Sequence, residues 1–302
     1  MTLSKTQVEF MRLAADAVVT QNFDVARDYL VEANKISVEP QISRQLVEIE
    51  LELQEKDQAY LTIKEMPDLF SDINVFELYQ KVLAINHLHI EQQQIVAQVS
   101  RIYDANEFAL YQDKVDANLA EPVTGEKRGE IFEASLALFS TGRLFTQTAI
   151  RQLHQLSQTD YLQLARLYLT LPNMNVQNKT FLVEDLIRLR LEETVKVTVL
   201  DQPFDFVPAT TDFFFKTNLY VTGQRWLEQK LEKDPILLEQ ILGEFSYCLG
   251  ALYPVEERFI PDVAEFCATL VEFVARGQFL ATDDPAGQTN VTELLNQIYH
   301  AR

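Results

Sequence analysis

The chain has 302 residues, 45 acidic against 26 basic, and a formal net charge of −19. It holds only 8 glycines, at positions 125, 129, 142, 223, 243, 250, 277 and 287, so 124 residues pass before the first. No two are separated by one residue or by four, which excludes the G-x-G-x-x-G dinucleotide fingerprint and the P-loop, and the one pair with nucleophile-elbow spacing, Gly125 and Gly129, has Lys127 where Ser is required.

The first hundred residues carry a 33-residue register. Phe10, Leu13, Ala14, Ala17, Phe23, Ala26, Leu30 and Ala33 are all apolar, and five of eight positions stay apolar in each of the next two copies. Those copies are Ser43, Leu46, Val47, Glu50, Lys56, Ala59, Ile63, Met66 and then Phe76, Tyr79, Gln80, Leu83, His89, Gln92, Val96, Val99. Steps of three and four on either side of a short gap predict two helices per copy. Phe10-Leu13-Ala14-Ala17 and Phe23-Ala26-Leu30-Ala33 resemble the tetratricopeptide repeat (TPR), with Pro40 a little past the usual closing proline. The resemblance implies degenerate TPR-like helix pairs over residues 1–120 and a protein-binding role. The scarcity of glycine is read as tight turns that need little left-handed backbone.

Less regular pairs continue over 121–193. Ile131, Ala134, Ser135 and Leu138 precede Ala149, Leu153 and Leu156; Tyr161, Leu164, Ala165 and Tyr168 precede Leu182, Leu186 and Leu189, across a turn lengthened by Pro172-Asn173-Met174-Asn175. Residues 120–129 (AEPVTGEKRG) are the candidate loop or seam. From 194 the period becomes two: TVKVTVL, a turn at Asp201-Gln202-Pro203, and FDFV predict a β-hairpin at about 194–207. Helices then resume, at about 218–233, from Asp234-Pro235 to Tyr253-Pro254, and at about 261–276 with a stop at Gly277. A loop at Thr282–Thr289 precedes a last helix opened by an Asn290-x-x-Glu293 capping box. The expected fold is mainly α, a TPR-like α-solenoid with one β-hairpin and a C-terminal helical bundle over 194–302. This element order also resembles uncharacterised helical-repeat proteins of Gram-positive bacteria.

Little chemistry is encoded locally. His87, His89, His154 and His300 form neither H-E-x-x-H nor E-x-x-H, and on a helix His87 and His89 diverge by about 200°. Cys248 and Cys267 lie among apolar residues, as inert buried thiols do. Glu48, Glu52 and Glu55 make one helical stripe, a solvated face or, alternatively, the lining of a groove for a basic partner. Lys127, Arg128, Arg143, Arg151, Arg166, Arg188 and Arg190 either offset neighbouring acids or read an anionic motif. Phe213-Phe214-Phe215 is core or a binding hot spot, and the hairpin is a structural cap or an edge for strand addition. No catalytic, cofactor or metal residue is assigned, and no cofactor is expected.

With 47% hydrophobic and 24% charged residues, the composition is that of an ordinary globular chain. The acidity argues against nucleic acid and anionic membranes as partners. No secretory signal or apolar stretch of ~20 residues is present, and two cysteines make no disulfide framework, so the cytoplasm is expected. Charge falls as −10 over 1–120, −1 over 121–193 and −8 over 194–302. The expected function is a non-enzymatic interaction or scaffold module holding a protein or peptide, favouring a basic one, in the repeat groove. The alternatives are a self-associating subunit using the hairpin edge or aromatic run, and an enzyme without a local motif.

Overall fold

A computed structural model of the chain describes residues 3–66, 69–172, 174–275 and 290–300. Among these residues there are fifteen α-helices and one two-stranded antiparallel hairpin, so the fold is mainly α with a small β element. The chain divides into two compact units, residues 1–131 with 150–161 and residues 132–149 with 162–302. The divisions fall inside three helices, α8 (Gly125–Thr141), α9 (Gln147–His154) and α10 (Gln158–Leu169).

Unit 1 begins with α1 (Lys5–Val19), α2 (Phe23–Ile36), α3 (Pro40–Glu52), α4 (Lys56–Lys64), α5 (Ile73–Ile85), α6 (His89–Ile102) and α7 (Ala105–Ala117), each packed on its neighbour in sequence. Ser4 and Gln7 close a reciprocal capping box on α1. Pro40 opens α3 in its first turn, where its missing N–H costs nothing, rather than closing the pair before it. Ala14, Ala17, Ala26 and Ala33 are buried, and small side chains there let α1 and α2 approach closely. Four of the six polar substitutions in the later copies still face inward, since Ser43, Glu50, Gln80 and Gln92 are buried, whereas His89 is half-buried and Lys56 is exposed.

The 33-residue register extends to the backbone. Gln21, Gln54 and His87, 33 apart, adopt φ of 56°, 62° and 58°. After each of them a backbone N–H reaches back five residues: Asn22 to the Ala17 carbonyl (2.9 Å), Glu55 to Glu50 (2.8 Å) and Leu88 to Leu83 (2.9 Å). This is a Schellman-type helix end, which satisfies otherwise orphaned carbonyls and is usually made with glycine. The expectation of little left-handed backbone is therefore corrected. Left-handed residues close these pairs, and non-glycine side chains bear the strain.

Unit 2 contains α11 (Val176–Arg188), β1 (Val195–Val199), β2 (Gln202–Phe206), α12 (Asn218–Lys230), α13 (Pro235–Leu252), α14 (Val263–Ala275) and α15 (Asn290–His300). In the hairpin Val195 pairs with Phe206 and Val199 with Gln202. The reversal is Leu200-Asp201, both at positive φ, so Gln202 and Pro203 belong to β2 and not to the turn. Val195, Val197 and Val199 are buried, which anchors a hairpin too small to stand alone. The 120–129 segment is also revised, because α8 already starts at Gly125. The anticipated helix stop at Gly277 and the loop at Thr282–Thr289 lie outside the described residues. At Gly223 a Cβ would come within 2.8 Å of Phe245 Cε2, so glycine is what lets α12 lie against α13.

Gln54→Gly removes the left-handed strain at the α3–α4 turn. It is expected to raise unfolding stability by up to about 1 kcal/mol, measured by urea denaturation, although the unfolded chain gains freedom.

Candidate functional site

In unit 2, β2 and the turn following α13 border an open cleft of about 300 Å³. Four carboxylates line it, Asp205, Asp212, Glu256 and Glu257, with Arg258 as its one cation. The Arg258 guanidinium sits 5.4 Å from the Phe204 ring centroid, a cation–π contact that holds it against the hairpin. Asp205, Asp212 and Glu257 are exposed, whereas Glu256 is only 4% exposed. Burial raises the Glu256 pKa above the ordinary carboxyl value, and hydrogen bonds from its own N–H and from Thr217 oppose the rise. The floor is fixed: Tyr253 is buried, packs edge-on against Phe214 at 5.4 Å, and donates to the Asp212 carbonyl at 2.8 Å. A concave acidic site of this size suits an ammonium or guanidinium group.

Unit 1 holds a second cluster, around Glu91 of α6. Glu91 Oε1 accepts from the Tyr79 hydroxyl (2.5 Å) and Lys64 Nζ (2.9 Å), and Oε2 accepts from the Tyr60 hydroxyl (2.8 Å). His154 Nδ1 lies 4.0 Å from Oε2. Arg151 stacks on the Tyr60 ring at 4.7 Å and bonds Asp57 (2.7 Å) and Asn86 (2.9 Å). Burial alone would raise the Glu91 pKa, but His154, Lys64 and Tyr79 together hold it well below the ordinary carboxyl range. A carboxylate engaged by three donors is a clamp between α4, α5, α6 and α9.

Glu50 of α3 is the opposite case. It is 1% exposed; Thr62 donates to Oε1 at 3.1 Å, and Oε2 has no hydrogen-bond partner among the described residues. Burial pushes its pKa up to about 7, with Thr62 and Arg27 acting against that and Glu55 with it.

Arg151 and His154 meet in the Glu91 cluster, but most of the residues singled out in the sequence disperse. His87 occupies the turn after α5, and His89 begins α6; their Nδ1 atoms contact the carbonyls of Glu121 (3.2 Å) and Ala120 (2.9 Å). Cys248 and Cys267 are buried, and burial pushes the Cys267 thiol up to about 12. Glu48 pairs with Arg44 and Glu55 with Arg27, while Glu52 is exposed. Arg128, Arg151, Arg166 and Arg188 pair with Asp160, Asp57, Glu193 and Glu184, so each is engaged by its own acid. Phe214 is core, Phe213 carries Arg188 and Lys216 over its ring, and Phe215 is 62% exposed. Neither the cleft nor the Glu91 cluster was singled out in advance. The signals in the sequence were coarse: the acidity of 194–302 for the cleft, and for the clamp the adjacency of Glu91 to the inward-facing Gln92 together with His154 and Arg151 taken singly.

Among the described residues no three His, Cys, Asp or Glu side chains are grouped to hold a metal ion, and no helix is long and apolar enough to cross a membrane. For Glu50 the native pKa exceeds the unfolded one, so its stabilisation is complete below about pH 4.5 and is lost as pH rises toward 7. Glu50→Gln should match the parent at pH 4 and exceed it at pH 8, by on the order of 1–3 kcal/mol in urea unfolding. No protein-family model matches the chain, and no curated protein or solved structure is significantly similar to it.

Proposed function

We propose that this chain is a non-enzymatic, cytoplasmic interaction module built on degenerate TPR-like helix pairs, and that it binds a basic polypeptide. The carrying observation is the unit 2 cleft, where four carboxylates face a single cation that Phe204 already engages. A lysine or arginine side chain entering it would meet charge-assisted hydrogen-bond acceptors on a rigid floor. The net charge of −19 supports the same reading, because it steers a cationic partner toward the protein and repels nucleic acid.

A fluorescent Lys/Arg-rich peptide should bind at low salt and weaken as salt screens the charges. The exposed triple variant Asp205→Asn, Asp212→Asn, Glu257→Gln is expected to weaken binding by about tenfold or more, equivalent to about 1.4 kcal/mol. Absence of binding at low salt, or equal binding by the variant, would overturn the proposal.

Phe215 favours a second reading, self-association, since an aromatic ring 62% exposed beside the Phe214–Tyr220 cluster is a candidate contact between copies. Light scattering should then show a concentration-dependent mass that Phe215→Ser abolishes; a monomer at every concentration removes this reading.

A further inference from the structure

Lys179 of α11 is 3% exposed, deep in unit 2. Its Nζ donates to the Ala251 carbonyl at 2.6 Å, in the last turn of α13. Gly250 makes this approach possible, since a Cβ there would lie 2.8 Å from Val176 Cγ1. Lys179 is not sealed in a packed core. Lys179 and Ala251 line a cavity of about 60 Å³ together with apolar Leu171 and Ile298 and polar Thr198 and Tyr247. Asp201, an exposed residue of the hairpin turn, also borders it.

Two physical consequences follow. Burial disfavours the ammonium form and brings the amine's pKa down to about 7, while Glu256 acts the other way. At neutral pH a large fraction of such an amine carries a free lone pair, the state in which lysine attacks carbonyl carbon. The cavity also sets size and charge. One water occupies roughly 10–15 Å³ of such space, so this one suits a molecule of two or three carbons. Lys179 is its only cationic lining residue and Asp201 adds a negative charge to the same lining, so anionic oxo-acids are disfavoured.

We propose that Lys179 and this cavity form a covalent binding site for a small uncharged aldehyde or ketone. Nζ adds to the carbonyl carbon and one N–H proton passes to the carbonyl oxygen, giving a carbinolamine. Loss of water, which takes the hydroxyl and the second N–H proton, leaves a C=N bond to Nζ. Nothing is oxidised or reduced, and hydrolysis reverses the step.

Reductive alkylation of the intact protein tests this. Acetaldehyde and sodium cyanoborohydride at pH 7, followed by peptide mass spectrometry, report the ethylation rate of each lysine. A solvated lysine amine in general holds on the order of 10³-fold less neutral form at this pH than a group titrating near 7; the exposed Lys35 and Lys230 are the comparison sites. Even with its weaker basicity, Lys179 is expected to react at least tenfold faster than either. Benzaldehyde, too large for the cavity, should label Lys35 and Lys230 and spare Lys179. Ethylation of Lys179 no faster than of the exposed lysines, or benzaldehyde labelling as fast as acetaldehyde labelling, overturns the proposal.

Discussion

Two helices joined by a short link pack antiparallel only if the chain reverses at once, and in unit 1 one backbone state makes that reversal three times. Gln21, Gln54 and His87 all take the left-handed conformation, and each is followed by a hydrogen bond from the next residue back across the end of the helix. Fixing the exit direction fixes which faces of the two helices meet, so most register positions face inward in every copy, Lys56 being an exposed exception. Glu50 and Gln92 are inside for that reason and against their own solvation preference.

The three copies answer this constraint differently. Ala17 simply fills space, whereas Glu50, 33 residues on, has one carboxylate oxygen without a partner among the described residues. Gln92, which follows Ala26 and Ala59 in the register, is satisfied. Its amide donates to Gln80 Oε1 (3.0 Å) and the Asn118 carbonyl (2.8 Å), and its Oε1 accepts from the Ala120 N–H (2.9 Å). Glu91, one residue earlier, is more deeply committed still, with Lys64 to balance its charge. Burial acts upward on the pKa of both glutamates, and the donors present decide the outcome, low for Glu91 and high for Glu50.

The helical periodicity and the hairpin were legible in the sequence because they are written in side-chain polarity, as in Phe10-Leu13-Ala14-Ala17 or Val195-Val197-Val199. The turns were not, because a Gln at positive φ looks like any other Gln. The hairpin reversal was placed late for a related reason: Asp201-Gln202-Pro203 has turn composition, but Leu200-Asp201 has the turn backbone. The sites lie further from view. Asp205 and Glu257 meet at one cleft, and Lys64 meets Glu91, only because whole helices and the hairpin bring them there. Lys179 reads as an ordinary polar residue of α11 until the position of the α13 backbone is known.

Unit 1 is not one stretch of chain. Residues 150–161 belong to it, although 132–149 do not. Contacts among α1 to α7 are close in sequence, and such elements form as soon as they are available. The surroundings of Glu91 are different, because His154, and Arg151 on the Tyr60 ring, come from that returning segment. On a ribosome, where the chain emerges from its N-terminus, the seven-helix array can assemble while the Glu91 carboxylate has only Tyr60, Lys64 and Tyr79. Its pocket closes later, when residue 161 has emerged, so a buried charge of unit 1 is also among the last to receive its full set of partners.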